Sequence, residues 1–260
     1  MSVRTLAMAS LLFVVAFFVL LLVSTLFMVP MAGLFETLAS PRLHYALRLS
    51  LLTATLATAS SLLIALPAAY ALSRYEFAGK TVLDTIAELP VILSPVALGA
   101  VLLIFLSGDA GTFIQERGIR FVFEIPGIVL AQWTATVGVA IRLLKAIFDE
   151  IPARFENVAR TLGATPSQAL RHVTFPMASR GIVVTGLFVW AKALGEFGAT
   201  ITVAGSMAMK TETLPIAIAN ALSGAEIDNA VLLILILATT GLFVLFLGRV
   251  LLSGGPSVTR

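Results

Sequence analysis

Cysteine is absent from this chain of 260 residues, which excludes disulfides, thiolate metal ligands and cysteine nucleophiles. Charge is scarce too: Asp, Glu, Lys and Arg make up 12% of the residues, about half the roughly 25% of soluble domains. Such a chain cannot cover itself with a water-compatible surface. Histidine occurs only as His44 and His172, without ligand spacing, so no metal site is expected. The net charge of +3 comes from basic residues dispersed between apolar runs, whereas nucleic-acid binding needs a clustered basic patch. What is abundant is apolar, 59% of all residues, and the solvent that suits it is a lipid bilayer.

A helix rises about 1.5 Å per residue, so roughly 20 apolar residues cross a hydrocarbon core of about 30 Å. Thr5 to Phe35, Leu49 to Ser73, Leu89 to Gly108, Ile125 to Ile141 and Asn229 to Gly248 contain no Asp, Glu, Lys or Arg, and Gly181 to Met209 contains only Lys192 and Glu196. These runs are apolar all round and lack the period-two alternation of barrel strands, so they predict helices. Six spans are expected, at about 6–29, 46–73, 87–107, 125–145, 180–205 and 229–251, within a single transmembrane domain over 1–260. The apolar run after Arg4 exceeds the core of a signal peptide and predicts a retained helix. Arg4, Arg74, Lys80, Arg142, Lys145, Arg154, Arg160, Arg171, Arg180, Arg249 and Arg260 fall on the side of the termini, against Arg42, Arg48, Arg117, Arg120 and Lys210 opposite. By the positive-inside rule both termini are cytoplasmic.

The largest connection, 149–178, then lies in the cytoplasm. Ile151, Phe155, Val158, Ala159 and Leu162 recur at spacings of three and four with Glu156 and Asn157 between them, which predicts an amphipathic helix. Gly163 suits its C-terminus. Ala164 follows, and then Thr165, Pro166, Ser167 and Gln168 spell a new start: a hydroxyl cap, proline in the first turn and a capping-box partner. This second helix is expected to run to about His172 and to stop at Pro176.

The spacing resembles the EAA loop of permeases of binding-protein-dependent ABC importers, which reads Glu-Ala-Ala, three residues, Gly, nine residues, a branched aliphatic, one residue, Leu-Pro. Gly163 matches the glycine, and Val173, Thr174, Phe175 and Pro176 close the pattern. The front half departs, with Asn157 at the acidic position, Glu156 before it, and Val158 and Ala159 for the alanines; this argues against assigning an ion pair to the acidic position. The resemblance implies a coupling helix that inserts into a groove on an ATPase subunit, as amphipathic helices do through anchors at helical spacing. Ala78-Gly79-Lys80-Thr81 looks like the end of a phosphate loop, but Arg74 stands where the first glycine must be. ATP and Mg are therefore expected on a partner, and this chain is expected to bind no cofactor and to catalyse no reaction.

In the fifth span, Gly195-Glu196-Phe197-Gly198-Ala199-Thr200, with Glu212-Thr213-Leu214-Pro215 beyond it, resembles the molybdate and tungstate permeases of that family; sulfate and thiosulfate permeases share the first five residues. Lys192 lies four residues before Glu196 on the same helical face, and a buried ion pair is the leading expectation. A gate, or contact of Lys192 with an oxyanion, stays open as an alternative, the last disfavoured because Glu196 repels a dianion. Gly195 and Gly198, with Gly181 and Gly186, offer close helix contact or a hinge. Pro90 and Pro95 predict a kink in span three, and a gate built on it is the further alternative.

The expected fold is thus all-α and integral to the membrane: six transmembrane helices with a cytoplasmic coupling-helix loop, like a type I ABC importer permease. The resemblance implies a homodimer, two ABC ATPase subunits on the cytoplasmic side, an external solute-binding protein, and a bacterial or archaeal cell membrane. A sulfate or other permease of this kind is the alternative. A secondary transporter is disfavoured, since no internal repeat is found.

Overall fold

The computed structural model describes residues 2–29 and 34–253. Residues 30–33 of the first apolar run, and Arg260 of the charge tally, lie outside them. In chain order the elements are α1 (Val3–Phe27), α2 (Leu34–Ala39), α3 (Pro41–Arg74), α4 (Lys80–Ala87), α5 (Leu89–Ile92), α6 (Pro95–Ser107) and α7 (Asp109–Gln115). There follow α8 (Ile125–Glu150), α9 (Arg154–Thr161), α10 (Pro166–Ala169), a π turn (Leu170–Thr174), α11 (Phe175–Leu194), α12 (Gly198–Ala204), α13 (Leu214–Ser223) and α14 (Ile227–Ser253). Five helical rods are long and apolar enough to cross a membrane, and a sixth span is available as the bent pair formed by residues 80–92 and 95–107.

Hydroxyl-proline pairs punctuate the chain. Ser40 before Pro41, Ser94 before Pro95 and Thr165 before Pro166 each accept a first-turn backbone N–H, while the proline occupies a position whose N–H has no helical partner anyway. Pro67 sits inside α3 without ending it.

The bundle packs around α3 and α8. Lipid supplies no hydrophobic force to press helices together, so close approach of small side chains and interhelical hydrogen bonds must do so. Ala54, Ala57, Ala65 and Ala69 of α3 and Ala131, Ala135 and Ala140 of α8 are buried, and Ser61 and Thr136 share a hydrogen bond of 3.0 Å between the two helices. Phe148, Leu144 and Val189 fill the core toward the end that carries α9. In contrast, α1 buries none of its residues, and among the described residues its main packing partner is α14. A helix that is apolar on every face and covered on none is suited to lipid.

Two of the expected spans are broken. The third is not one rod with a kink: the two helical pieces meet at 112° across Leu93 and Ser94. Pro90 lies in the first turn of α5 and Pro95 in that of α6, so each starts a helix. The fifth breaks at Gly195 to Phe197, between α11 and α12. Glycines let these pieces cross their neighbours. A Cβ on Gly138 of α8 would lie 2.2 Å from the carbonyl oxygen of Ala87, and one on Gly99 of α6 would lie 2.7 Å from Cα of Ala199 in α12.

Gly138→Ala should therefore lower the unfolding temperature in detergent, by the equivalent of about 1–3 kcal/mol of overpacking. Gly241→Ala, where a Cβ meets nothing within 4 Å, should leave it unchanged or slightly raised. Equal melting of the two variants would remove the steric role of Gly138.

Candidate functional site

α8 ends at Glu150, and the chain turns through Ile151, Pro152 and Ala153 into the eight residues of α9. The alternating pattern of this helix does not bury its apolar face. Phe155 and Val158 are exposed, Leu162 is 84% exposed, and Ala159 is half-buried. The buried residue of α9 is Glu156.

The ion pair of this loop is formed by Glu156, one residue before the position at which the motif places its acid. Its Oε1 accepts from Arg74 Nε at 2.9 Å and from Thr174 Oγ1 at 2.7 Å, while Oε2 accepts from Tyr70 Oη at 2.8 Å. Arg74 also donates from Nη2 to the carbonyl of Ile151 at 2.8 Å. Next to it Ser73 Oγ donates to Asp149 at 2.6 Å. The Tyr70 ring stands edge-on to Phe148 at 5.8 Å. One carboxylate thus ties the end of α3, the helix α9 and the turn that leads into α11. Burial pushes the Glu156 carboxyl up, but donation from Thr174, Arg74 and Tyr70 outweighs it and holds the group below the ordinary carboxylate range. In the sequence Thr174 is visible only as a closing position of the loop pattern and Arg74 only as the first charge after span two; nothing marks Tyr70 or the meeting of the three at Glu156.

Gly163 ends α9 at φ +94°, with its N–H on the carbonyl of Arg160 and that of Ala164 on Ala159, the two bonds of a Schellman motif. The capping box then forms in full: Gln168 N–H donates to Thr165 Oγ1 at 3.3 Å, and Thr165 N–H to Gln168 Oε1 at 2.8 Å. Ala164 is half-buried, whereas Asn157, Pro166 and Ser167 are exposed. The second helix does not stop near His172 or at Pro176. It widens into the π turn, where Phe175 N–H reaches back to Leu170, and continues as α11 with Pro176 in its first turn. The wide turn relieves the clash that a proline ring makes with the carbonyl four residues before it. Val173 is half-buried within the turn. From Pro166 to Leu194 the chain is one rod of 29 residues.

Lys192 and Glu196 do not form the expected ion pair. The i to i+4 register requires an unbroken helix, and α11 ends at Leu194 with Gly195 as its cap. Glu196 is buried, and its Oε1 accepts from Ala199 N–H at 2.9 Å, capping α12. Lys192 is half-buried and has neither an ion pair nor a hydrogen bond among the described residues. Gly198 is buried against the first turn of α6, where an added Cβ would lie 2.8 Å from Pro95 Cβ, while Gly195 is exposed. The two helix breaks therefore meet.

At the end away from α9, Glu212 is buried and held by Arg42 and by Asn220 Nδ2 at 2.8 Å. Burial raises its carboxyl and these partners bring it below the ordinary range. Ser50 Oγ accepts from Leu214 N–H at 2.7 Å. A cavity of about 360 Å³ opens beside them, lined by Thr37, Ser40, Arg42, Asn220, Glu226 and Asn229 among others.

Glu156→Gln should loosen the loop by about 3–5 kcal/mol, the cost of breaking a buried pair from one side, and leave the spanning helices intact. Amide exchange in 154–174 should quicken while that of α3 and α8 stays slow. In the unsubstituted chain the protection of these amides, taken relative to their intrinsic exchange rate at each pH, should be full above the ordinary carboxylate range and be lost as pH falls through the lowered pKa of Glu156, since protonation ends the pairing. Unchanged exchange in both tests would deny the carboxylate its role.

Three comparisons bear on what this bundle is. Residues 61–253 match the family described as binding-protein-dependent transport system inner membrane component. The chain is 37% identical over 175 residues to the molybdenum transport system permease protein ModB of Escherichia coli, covering 65% of this chain and 76% of that protein. It is 34% identical over 188 residues to the sulfate transport system permease protein CysW of Synechococcus elongatus, covering 72% of this chain and 66%, about two thirds, of that one. Among solved structures, a chain of a bacterial alginate ABC transporter in complex with an alginate-bound periplasmic protein superposes with a TM-score of 0.76 at 18% identity, over 95% of this chain and 93% of that one. At that identity the likeness shows the fold, which is the all-helical fold of a type I ABC transporter permease. With the family match spanning most of its length, the chain belongs to the inner membrane components of binding-protein-dependent transport systems.

Proposed function

We propose that this chain is the membrane-spanning permease subunit of an ATP-driven importer for molybdate or tungstate, and that residues 149–178 couple it to an ATPase. The observation that carries the coupling role is the exposed apolar face of α9, which Glu156 anchors from the opposite side. An apolar stripe at helical spacing, held rigidly and left uncovered by its own chain, suits a groove on another protein. In this reading the loop and both termini are cytoplasmic, ATP and Mg belong to the partner, and no residue here breaks or makes a covalent bond.

One loop engages one ATPase, and a two-fold machine needs two, so the assembly is a permease homodimer with two ATPases and an external binding protein. Closure of the ATPases moves each α9. Through Glu156 that motion reaches α3 and, at Thr174, the rod that ends at Leu194, roughly 30 Å away. The rod stops at Gly195, where the spans are broken, and the path opens there by rocking of the pieces. Sulfate is the second reading, supported by the 34% identity to a sulfate permease and by the shared residues 195–199.

Calorimetry of the cognate binding protein with molybdate, tungstate and sulfate tests the substrate; tight binding of sulfate alone would overturn the molybdate reading. For the coupling role, Leu162→Asp places an unpaired charge in the proposed dry groove, and Gly163→Val forces a branched residue into a left-handed conformation. Both should insert normally and lose co-purification with the ATPase, together with turnover stimulated by loaded binding protein. Normal assembly and normal stimulated turnover in both would remove the coupling role from the loop.

A further inference from the structure

An ionised side chain in hydrocarbon is costly, about 2.5 to 3.5 kcal/mol for lysine at a helix centre on insertion scales, and it therefore faces a bundle interior, a water-filled cavity or a counter-charge. Lys192 is such a side chain. It follows Arg180 by twelve residues along the unbroken α11, which lifts it about 18 Å into a core of about 30 Å, far from either surface. Glu196 is the one acid within the apolar run that contains Lys192, and its carboxylate is turned onto Ala199 N–H and buried. Lys192 is thus left without an anionic partner among the described residues, and part of its surface is uncovered. Contact with lipid is the worst environment for that surface, so the ammonium belongs beside water or an anion.

We infer that Lys192 is a binding residue for the transported oxyanion within the membrane, met by the dianion as it passes the break between α11 and α12. The inference rests on the importer reading and names a site for it. The objection that Glu196 would repel a dianion is weakened, because that carboxylate is buried and turned onto Ala199 N–H at 2.9 Å, away from open surface. In a homodimer the two-fold axis supplies a second Lys192, so that two positive charges are available to a doubly negative ion. An unpaired cation also explains how a path through apolar helices admits such an ion without a dedicated cage.

The test uses the whole transporter, permease with ATPase and binding protein, in proteoliposomes loaded with ATP, and follows uptake of labelled molybdate and of labelled sulfate. Lys192→Met keeps the length of the side chain and removes its charge; Lys192→Arg keeps the charge. Uptake should fall about tenfold or more in the methionine variant, in line with loss of a charge-assisted contact, and stay within about threefold of the parent in the arginine variant. Co-purification of the complex should be complete in both. Parental uptake with methionine, equal loss with arginine, or loss of assembly with methionine would each overturn the inference, the last because it would make the lysine a structural partner of another subunit. If the unsubstituted complex carries neither anion, it is the oxyanion reading itself that falls, which keeps the two failures distinct.

Discussion

A single buried carboxylate decides how the largest loop of this protein sits on its bundle. Glu156 accepts from Arg74, Tyr70 and Thr174, three groups that belong to the end of one spanning helix and the beginning of another. Desolvating an acid and an arginine costs several kcal/mol per ion, and a lone pair in that position contributes little net stability. The added hydroxyl donors change the balance, since each lone pair they meet would otherwise be buried unsatisfied. What the arrangement secures above all is orientation. With the acid facing in, the helical period of α9 turns Phe155, Val158 and Leu162 outward.

The same accounting of polar groups governs the middle of the membrane. Backbone N–H and C=O groups in lipid need partners, so irregular backbone survives there only where protein covers and caps it. Ser94 caps α6 and Glu196 caps α12 with their side chains. Small residues bring these two starts together, Gly198 against Pro95 and Gly99 against Ala199. The π turn before Pro176 follows the same logic, since a proline inside a rod requires a carbonyl to be moved out of the way. Each break in the fold is thus matched by a local device that satisfies it.

These devices explain which features could be read from the sequence. Apolar run length, the glycine at 163 and the hydroxyl, proline and glutamine at 165, 166 and 168 are local signals, and each acts within a few residues of where it is written. The Glu156 to Arg74 pair joins positions 82 apart and has no local signature. Periodicity identifies the apolar face of α9 but does not say whether the chain or a partner covers it. A pairing of Lys192 with Glu196 requires an unbroken helix, and Gly195 between them suits close packing, a hinge and the end of a rod equally well, of which the structure shows the last. Pro176 reads as a stop in the sequence because the alternative, a widened turn, leaves no mark in composition.

Substrate choice follows a different rule from architecture. Molybdate, tungstate and sulfate are tetrahedral dianions, and separating them requires a set of hydrogen-bond donors at fixed distances around the ion. The region where the spans break offers apolar side chains, glycines, the hydroxyls of Ser94, Thr200 and Thr202, a carboxylate already engaged and Lys192. In the proposed importer such a surface offers an oxyanion few fixed donors and responds mainly to its charge. That chemistry fits the relationship of this chain to permeases named for molybdenum and for sulfate at similar identity. In the proposed importer, discrimination belongs to the binding protein that delivers the ion, and the membrane subunit is free to conserve the mechanical parts, the latched loop, the long rod and the meeting of the two breaks, for more than one cargo.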